Sequence, residues 1–111
     1  MKDDRLYLIH ISECIGRIER YASGGRAEFM ASTLIQDAVL RNLHTLAEST
    51  RNLSDRLKEG HKEIDWRGIS GFRNIVVHDY LGVDLAYCWQ IVERDIPYLK
   101  GAITSMLAEA T

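Results

Sequence analysis

The chain has 111 residues, of which 46% are hydrophobic and 27% charged, and its formal net charge at pH 7 is −2. This length predicts one domain, over residues 1–111, with enough chain to bury a single modest core. The slight negative charge argues against a protein that coats nucleic acid by bulk attraction. Ten of the fourteen basic residues are arginines, however, and arginine suits bidentate contacts to phosphate or carboxylate, so local basic patches remain compatible with the composition.

The N-terminal residues carry no apolar signal region, and no apolar run reaches the length of a membrane span, so we expect a cytoplasmic protein without a membrane partner. Cys14 and Cys88 lie in helical apolar patterns and form no Cys-x-x-Cys pair, which favours two reduced core thiols. The sequence has no Gly-rich phosphate loop and no His/Cys/carboxylate cluster at metal-ligand spacing. We therefore expect neither a cofactor nor a metal ion.

The first predicted helix begins near Asp3 or Asp4, either of which could serve as its N-cap. One face of this helix carries apolar residues at 3-4-3 spacing, namely Leu8, Ile11, Ile15 and Ile18. The Ser23-Gly24-Gly25 sequence is a turn signal that ends the helix.

A second long helix is predicted after a short connecting segment. Thr33 and Gln36 have capping-box spacing for its start. Its apolar face comprises Ile35, Val39, Asn42 and Leu46, and the pattern continues through Leu53 and Leu57. Asn42 lies on this apolar side, where a hydrogen-bonded core or interface amide is a better interpretation than a catalytic role.

A loop at residues 60–64 precedes a third predicted helix, for which Asp65 is a suitable N-cap. One face of this helix has 3-4-3-4 spacing and comprises Trp66, Ile69, Arg73, Val76 and Tyr80. Gly68 and Gly71 fall inside the helix, where glycine is unfavourable. Their presence indicates the close approach of another backbone, within the chain or across a dimer.

The last predicted helix begins at Asp84 and has the most regular apolar face of the chain. Its members are Leu85, Trp89, Val92, Ile96, Leu99, Ile103 and Met106. Pro97 is expected to kink this helix rather than end it, because the apolar face keeps its phase on both sides. These elements predict an all-α protein, an antiparallel bundle of four main helices.

The candidate functional residues lie in one octet, residues 73–80, and are Arg73, Asn74, His78 and Tyr80. The neighbouring positions are apolar, so a guanidinium there needs a partner, because burying an unpaired charge costs several kcal/mol. On a regular helix His78 lies about 140° around the axis from Arg73. The two side chains would meet only if the helix frays or if a second copy brings another pair across a two-fold axis.

Histidine can act as a general acid or base near neutral pH, and arginine can bind a phosphate and stabilise negative charge that develops on it. Such a pair suffices for RNA cleavage without a metal ion, by attack of the ribose 2′-OH on the neighbouring phosphate. Asn74 could orient either partner. The spacing alone does not distinguish this chemistry from a capped histidine beside a salt-bridged arginine.

The octet matches the Arg-x4-His-x-Tyr motif of the HepT-like toxins, and the chain resembles this branch of the HEPN superfamily. Supporting stretches are residues 36–43, 64–69 and 89–97, so the resemblance covers nearly the whole chain. Residues 46–49 read Leu-Ala-Glu-Ser where many relatives have glycine before the glutamate, a departure expected to affect packing rather than catalysis.

The resemblance implies a HEPN-like helical homodimer with two motifs lining an interface cleft. It implies a metal-independent endoribonuclease that leaves 2′,3′-cyclic phosphate ends and acts as the toxin of a type VII toxin–antitoxin pair. Arg73 and His78 would be the catalytic pair and Asn74 an assisting residue. The implied partner is MntA, a minimal nucleotidyltransferase that neutralises the toxin by transferring AMP to the motif tyrosine, Tyr80 here.

Two other interpretations remain open. In the first, the chain is a non-catalytic helical docking partner of a nucleotidyltransferase, which the net charge of −2 mildly favours. In the second, it is a structural dimer whose octet forms a buried polar network. The presence of both Arg73 and His78 favours the ribonuclease, since a docking module has no need of them.

Overall fold

The computed structural model describes residues 3–77 and 84–109, and every regular element in these ranges is a helix. The helices are α1 (Asp3–Tyr21), α2 (Arg26–Ala31), α3 (Thr33–Arg51), α4 (Asp55–Glu59), α5 (Trp66–Ser70), α6 (Phe72–Val77), α7 (Leu85–Gln90) and α8 (Ile96–Glu109). A π-helical segment, Ile91–Asp95, joins α7 to α8. The predicted all-α class is confirmed.

The two longest helices, α1 and α3, pack against each other in opposite directions. The Asp4 carboxylate accepts hydrogen bonds from Ser54 N at 2.8 Å and from Ser54 Oγ at 2.6 Å, so the start of α1 lies beside the segment that follows α3. Further along α1, His10 Nδ1 lies 2.8 Å from Ser49 Oγ. Residue numbers thus rise along α1 while they fall along α3, as in the predicted antiparallel bundle.

Helix α8 is also antiparallel to α1. Lys100 Nζ lies 3.1 Å from Glu19 Oε1, near the C-terminal end of α1, whereas Met106 lines one groove together with Leu8 from the opposite half of α1. Helix α3 contacts α1, α5 and α6, and it is therefore the helix that connects the rest of the bundle to the segment bearing Arg73.

The predicted apolar faces supply most of the core. Leu8, Ile11, Ile15 and Ile18 of α1 are at most 1% exposed. The core face of the last helix is confirmed as well, with Trp89, Val92, Ile96, Leu99, Ile103 and Met106 all buried. Cys14 and Cys88 are buried and neither forms a disulfide, and desolvation raises the pKa of the Cys14 thiol. A thiol in such a setting behaves as a small apolar side chain.

Helix α1 begins at Asp3, in agreement with the predicted start, although Asp4 lies within the helix and is not its N-cap. Two other predicted helix boundaries are wrong, because a neighbouring polar residue caps the helix in each case. Ser32, not Thr33, caps α3 by accepting from Ile35 N, while Gln36 donates to the carbonyls of Phe29 and Met30 at the end of α2. Helix α3 ends at Arg51, and Ser54 caps the separate α4.

As predicted, the last helix continues past Pro97. Proline lacks the N–H that would bond to the carbonyl of residue 93, and the π-helical segment Ile91–Asp95 lies just before it. Within this segment the hydrogen bond spans five residues, from Ile96 N to Ile91 O. In residues 3–77 and 84–109, no helix is both long enough and apolar enough to cross a membrane.

Candidate functional site

Two of the four predicted site residues lie in the described part of the chain. Arg73 and Asn74 belong to α6, whereas His78 and Tyr80 lie outside the described residues. The relative placement of Arg73 and His78 therefore stays a prediction. The structure does show how α6 is held and what the Arg73 side chain contacts.

The segment α5–α6 is held at its start by an N-cap and an indole hydrogen bond. Two of its side chains lie in the core of the bundle. Asp65 Oδ1 accepts from Gly68 N at 2.9 Å, which confirms the predicted N-cap. Trp66 Nε1 donates to His61 O at 3.0 Å, and this ties the first turn of α5 to the preceding loop. Ile69 and Phe72 are buried in the core, so they fix the side of α6 that faces α3.

The glycines of this segment serve local geometry. The three atoms nearest to a Cβ built at Gly68 all belong to the Asp65 carboxyl group, which would have to move. Gly71 separates α5 from α6, and its N–H donates to the carbonyls of Arg67 and Gly68. Among the described residues, the atoms that come nearest at Gly68 therefore belong to the capping carboxylate and not to the backbone of another helix.

Arg73 forms an ion pair with Glu48 of α3. Its Nη2 atom lies 3.1 Å from Glu48 Oε2, and the two side chains are 36% and 42% exposed. The need for a partner is thus met, but the expectation of a buried guanidinium is wrong. Asn74, the next residue, is exposed. The outer side of α6 consequently presents an arginine and an amide to solvent, where both can meet a ligand.

Glu48 is the site residue that the sequence prediction missed. It follows Ala47, which is fully buried. The requirement for a partner of Arg73 was a usable signal, because an acidic residue on an adjacent helix is the simplest way to meet it. Glu48 Oε2 also lies 3.3 Å from Nη1 of Arg51, one turn further along α3.

Asn42 and two histidines have structural roles. Asn42 is 8% exposed and its Nδ2 donates to Ala38 O at 2.9 Å, in agreement with a core amide. His10 bonds to Ser49, next to Glu48, and so joins α1 to the part of α3 that carries this carboxylate. His61 lies 3.5 Å from Glu63 and 3.6 Å from Glu109, which links the loop before α5 to α8.

A cavity of about 230 Å³ lies beside α5, lined among others by Asp65, Phe72, Asp95 and Tyr98. Desolvation, together with the negative charge of Asp65, raises the pKa of Asp95, while Arg94 acts in the opposite direction. Arg73 and Asn74 are not among the described residues that line this cavity. Among residues 3–77 and 84–109, no group of three His, Cys, Asp or Glu side chains could hold a metal ion.

Comparison with known proteins identifies the family. The sequence profile described as "Ribonuclease HepT-like" matches residues 11–106, a range that includes the whole octet. A protein of Thermococcus cleftensis named "Probable ribonuclease HepT" is 38% identical over 96 residues, which are 86% of this chain and 87% of the relative. A protein of Caldanaerobacter subterraneus named as a "Putative RNase" is 32% identical over 96% of both chains.

A protein of Methanocaldococcus jannaschii, named "Gamma-glutamylcyclotransferase and putative RNase", is 37% identical over 97% of this chain. The chain spans only 49% of the length of that relative. No solved structure matches the chain significantly. With a profile match over residues 11–106 and relatives above 30% identity, the chain belongs to the HepT-like ribonuclease family.

Proposed function

We propose that this protein is a metal-independent endoribonuclease, the toxin component of a type VII toxin–antitoxin system. The observation that carries the proposal is the family match over residues 11–106, which includes the complete Arg-x4-His-x-Tyr motif. The described half of the motif is compatible with this role, because Arg73 is half-exposed and Asn74 is exposed. A guanidinium in this position can reach a phosphate of bound RNA.

The proposed reaction transfers the phosphate within the RNA chain. The 2′-oxygen of one ribose attacks the adjacent phosphorus, and the bond from phosphorus to the 5′-oxygen of the next nucleotide breaks. One histidine accepts the 2′-OH proton, and an acid returns a proton to the leaving 5′-oxygen, which leaves a 2′,3′-cyclic phosphate and a 5′-OH. Arg73 would stabilise the added negative charge on the phosphate oxygens, His78 would transfer protons and Asn74 would assist.

The proposed active form is a homodimer. On one regular helix, Arg73 and His78 point in directions about 140° apart. Two copies related by a two-fold axis would place two motifs along one cleft, so that the arginine and histidine acting on one phosphate can come from either chain.

The proposed regulatory partner is a minimal nucleotidyltransferase of the MntA type, which would transfer AMP from ATP to Tyr80. The tyrosine oxygen would attack the α-phosphorus of ATP, with release of pyrophosphate. An adenylyl group two residues from His78 would add bulk and a negative phosphate, and it would both exclude RNA and repel the RNA backbone. No cofactor and no membrane are part of this scheme.

The second candidate function is a non-catalytic docking partner of such a nucleotidyltransferase. The net charge of −2 favours it, because an RNA-binding cleft is usually surrounded by positive potential. It differs from the first candidate in one respect that can be tested: the docking function does not need the guanidinium of Arg73 or the imidazole of His78.

The proposal is tested by induced expression of the wild type, Arg73→Ala and His78→Ala in bacterial cells that lack the antitoxin. Growth should stop only with the wild type, at equal levels of folded protein in all three cultures. Growth arrest that persists in both variants would contradict the ribonuclease, and so would normal growth with an unmodified wild type.

Modification of Tyr80 is tested by intact-mass analysis after co-expression with a MntA-type nucleotidyltransferase. The wild type should gain one or more adenylyl groups, while Tyr80→Phe should gain none. A Tyr80→Phe protein that gains the same mass would place the modification elsewhere.

A further inference from the structure

Glu48 and Arg73 join two helices that are otherwise held together by apolar packing. Glu48 lies on α3 and Arg73 on α6, and their ion pair has an N···O distance of 3.1 Å. Neither side chain is buried, so the pair adds little to the stability of the fold. An ion pair that adds little stability, yet involves the arginine of the predicted catalytic motif, calls for a functional explanation.

The contact leaves part of the guanidinium available. A guanidinium carries five N–H donors in a planar fork, and Glu48 contacts it through Nη2. The ion pair joins Nη2 to the carboxylate oxygen Oε2, and the Arg73 side chain remains 36% exposed. A phosphate oxygen can therefore bind to the remaining donors while Glu48 keeps its hold on Nη2.

Without Glu48, the orientation of Arg73 would be poorly defined. An arginine side chain has four rotatable bonds, and a half-exposed one populates many rotamers. Binding a phosphate would then require ordering the side chain at the same time, whereas a side chain oriented beforehand avoids that entropic cost.

We propose that Glu48 is a positioning residue for Arg73: its carboxylate holds the guanidinium so that the remaining N–H groups are oriented to bind the reacting phosphate. This inference rests on the proposed function, because it takes the phosphate to be that of an RNA. It differs from a competitive role, in which the carboxylate would occupy the phosphate site and slow the reaction.

The chain contains a matched control for this ion pair. Glu19 of α1 and Lys100 of α8 also join two helices with an N···O distance of 3.1 Å, and their side chains are 41% and 55% exposed. Glu19→Gln and Glu48→Gln therefore remove the same charge from interhelical pairs of the same length and similar exposure, and Glu48→Gln also weakens the contact of Glu48 with Arg51 inside α3. Only the second pair includes a residue of the motif.

The first test measures kcat and KM separately for RNA cleavage by the purified, unmodified wild type, Glu48→Gln and Glu19→Gln. Positioning predicts that Glu48→Gln lowers kcat about tenfold with a smaller change in KM, because a misplaced catalytic group mainly weakens binding of the transition state. Glu19→Gln should retain wild-type rates. A Glu48→Gln enzyme that is as fast as the wild type, or faster, would overturn the inference.

A second readout does not depend on turnover. Nitrogen-15 NMR of the Arg73 guanidinium, with and without a short RNA of 2′-O-methyl nucleotides that cannot be cleaved, reports the mobility of the side chain. Restricted rotation in the wild type and in Glu19→Gln, but free rotation in Glu48→Gln, would support positioning.

Equal mobility of Arg73 in all three proteins would overturn the inference even if RNA is cleaved. If the wild type cleaves no RNA at all, the proposed function fails, and the NMR comparison still decides whether Glu48 orients Arg73 toward an RNA phosphate.

Discussion

The α1–α3 pair and the α5–α6 segment share one core but are stabilised in different ways. Helices α1 and α3 have 19 residues each, and their buried faces run from Leu8 to Ile18 in α1 and from Val39 to Thr50 in α3. Helices α5 and α6 have five and six residues and are separated at Gly71. They pack on the bundle through two buried side chains, Ile69 and Phe72, and two partly buried ones, Trp66 and Ile75, and the partly exposed Arg73 adds an ion pair.

The two regions therefore have different roles: the long helices stabilise the fold, and the short helices carry the arginine of the predicted site. The long helices provide a scaffold that is stabilised mainly by buried apolar side chains. The short helices place Arg73 at the surface, where its charge stays partly solvated and its guanidinium can contact a phosphate. Changes in α3 should therefore affect global unfolding, whereas changes in α5–α6 should first affect local opening and activity.

The largest effect is expected for Leu43→Ala in α3, because Leu43 is fully buried. The variant should lose about 2–5 kcal/mol of unfolding free energy, measured by urea denaturation. Leu34→Ala on the same helix is the control, since Leu34 is 78% exposed and its loss should stay within about 0.5 kcal/mol. Similar losses for the two variants would contradict the assignment of the core face of α3.

A smaller and more local effect is expected for Ile69→Val, a substitution at a buried position in the short helix α5. The loss should be about 0.5–1.5 kcal/mol. In native-state hydrogen exchange, the amides of α5–α6 should exchange faster while those of α3 keep their protection. Uniformly faster exchange throughout the bundle would show that the two regions unfold together and would contradict local opening of α5–α6.

The smallest effects are expected at two carboxylates, Asp4 of α1 and Asp95 of the π-helical segment beside α5, and they have opposite signs. Burial alone would raise the pKa of Asp4, but its hydrogen bonds from Ser54 outweigh this and the pKa lies below its ordinary value of 3.8. Ionised Asp4 therefore stabilises the fold above about pH 4, and this contribution disappears as the pH falls through the lowered pKa. Asp4→Asn should cost less than about 1 kcal/mol at pH 7 and nothing at very low pH.

Asp95 has a pKa raised by desolvation and by Asp65, so its ionised form opposes folding. This opposition is present at neutral pH and is relieved as the pH falls through the raised pKa. Asp95→Asn should therefore raise the melting temperature slightly at pH 7 and leave it unchanged at low pH. Melting curves of both variants between pH 3 and pH 7 check the signs, and two shifts in the same direction would contradict them.

The sequence predicted the regular parts of the fold because their signals are local. The buried residues of α1, the Asp65 cap and the core face around Trp89 all follow from residue spacing along one helix. The end of α3 was less predictable. Leu53 is buried and Leu57 partly so, although α3 ends before both of them, so the apolar pattern continues across a break at which Ser54 begins a new helix.

The candidate site could be located from the sequence, but its supporting contact could not. The octet is visible as a motif, whereas the pairing of Arg73 with Glu48 depends on how α3 and α6 are rotated against each other. That rotation is set by the packing of Ile69 and Phe72 and is not encoded in the spacing of either helix alone. The exposed position of Arg73 escaped prediction for the same reason.

We propose that Arg73 and His78 cleave RNA without a metal ion. The most direct test is incubation of RNA with the purified, unmodified protein in EDTA, beside Arg73→Ala and His78→Ala. We predict cleavage by the wild type alone, with 2′,3′-cyclic phosphate ends and rates at least about a hundredfold above those of either variant. Cleavage that EDTA abolishes, or no cleavage by a wild type whose mass confirms an unmodified Tyr80, would contradict the claim.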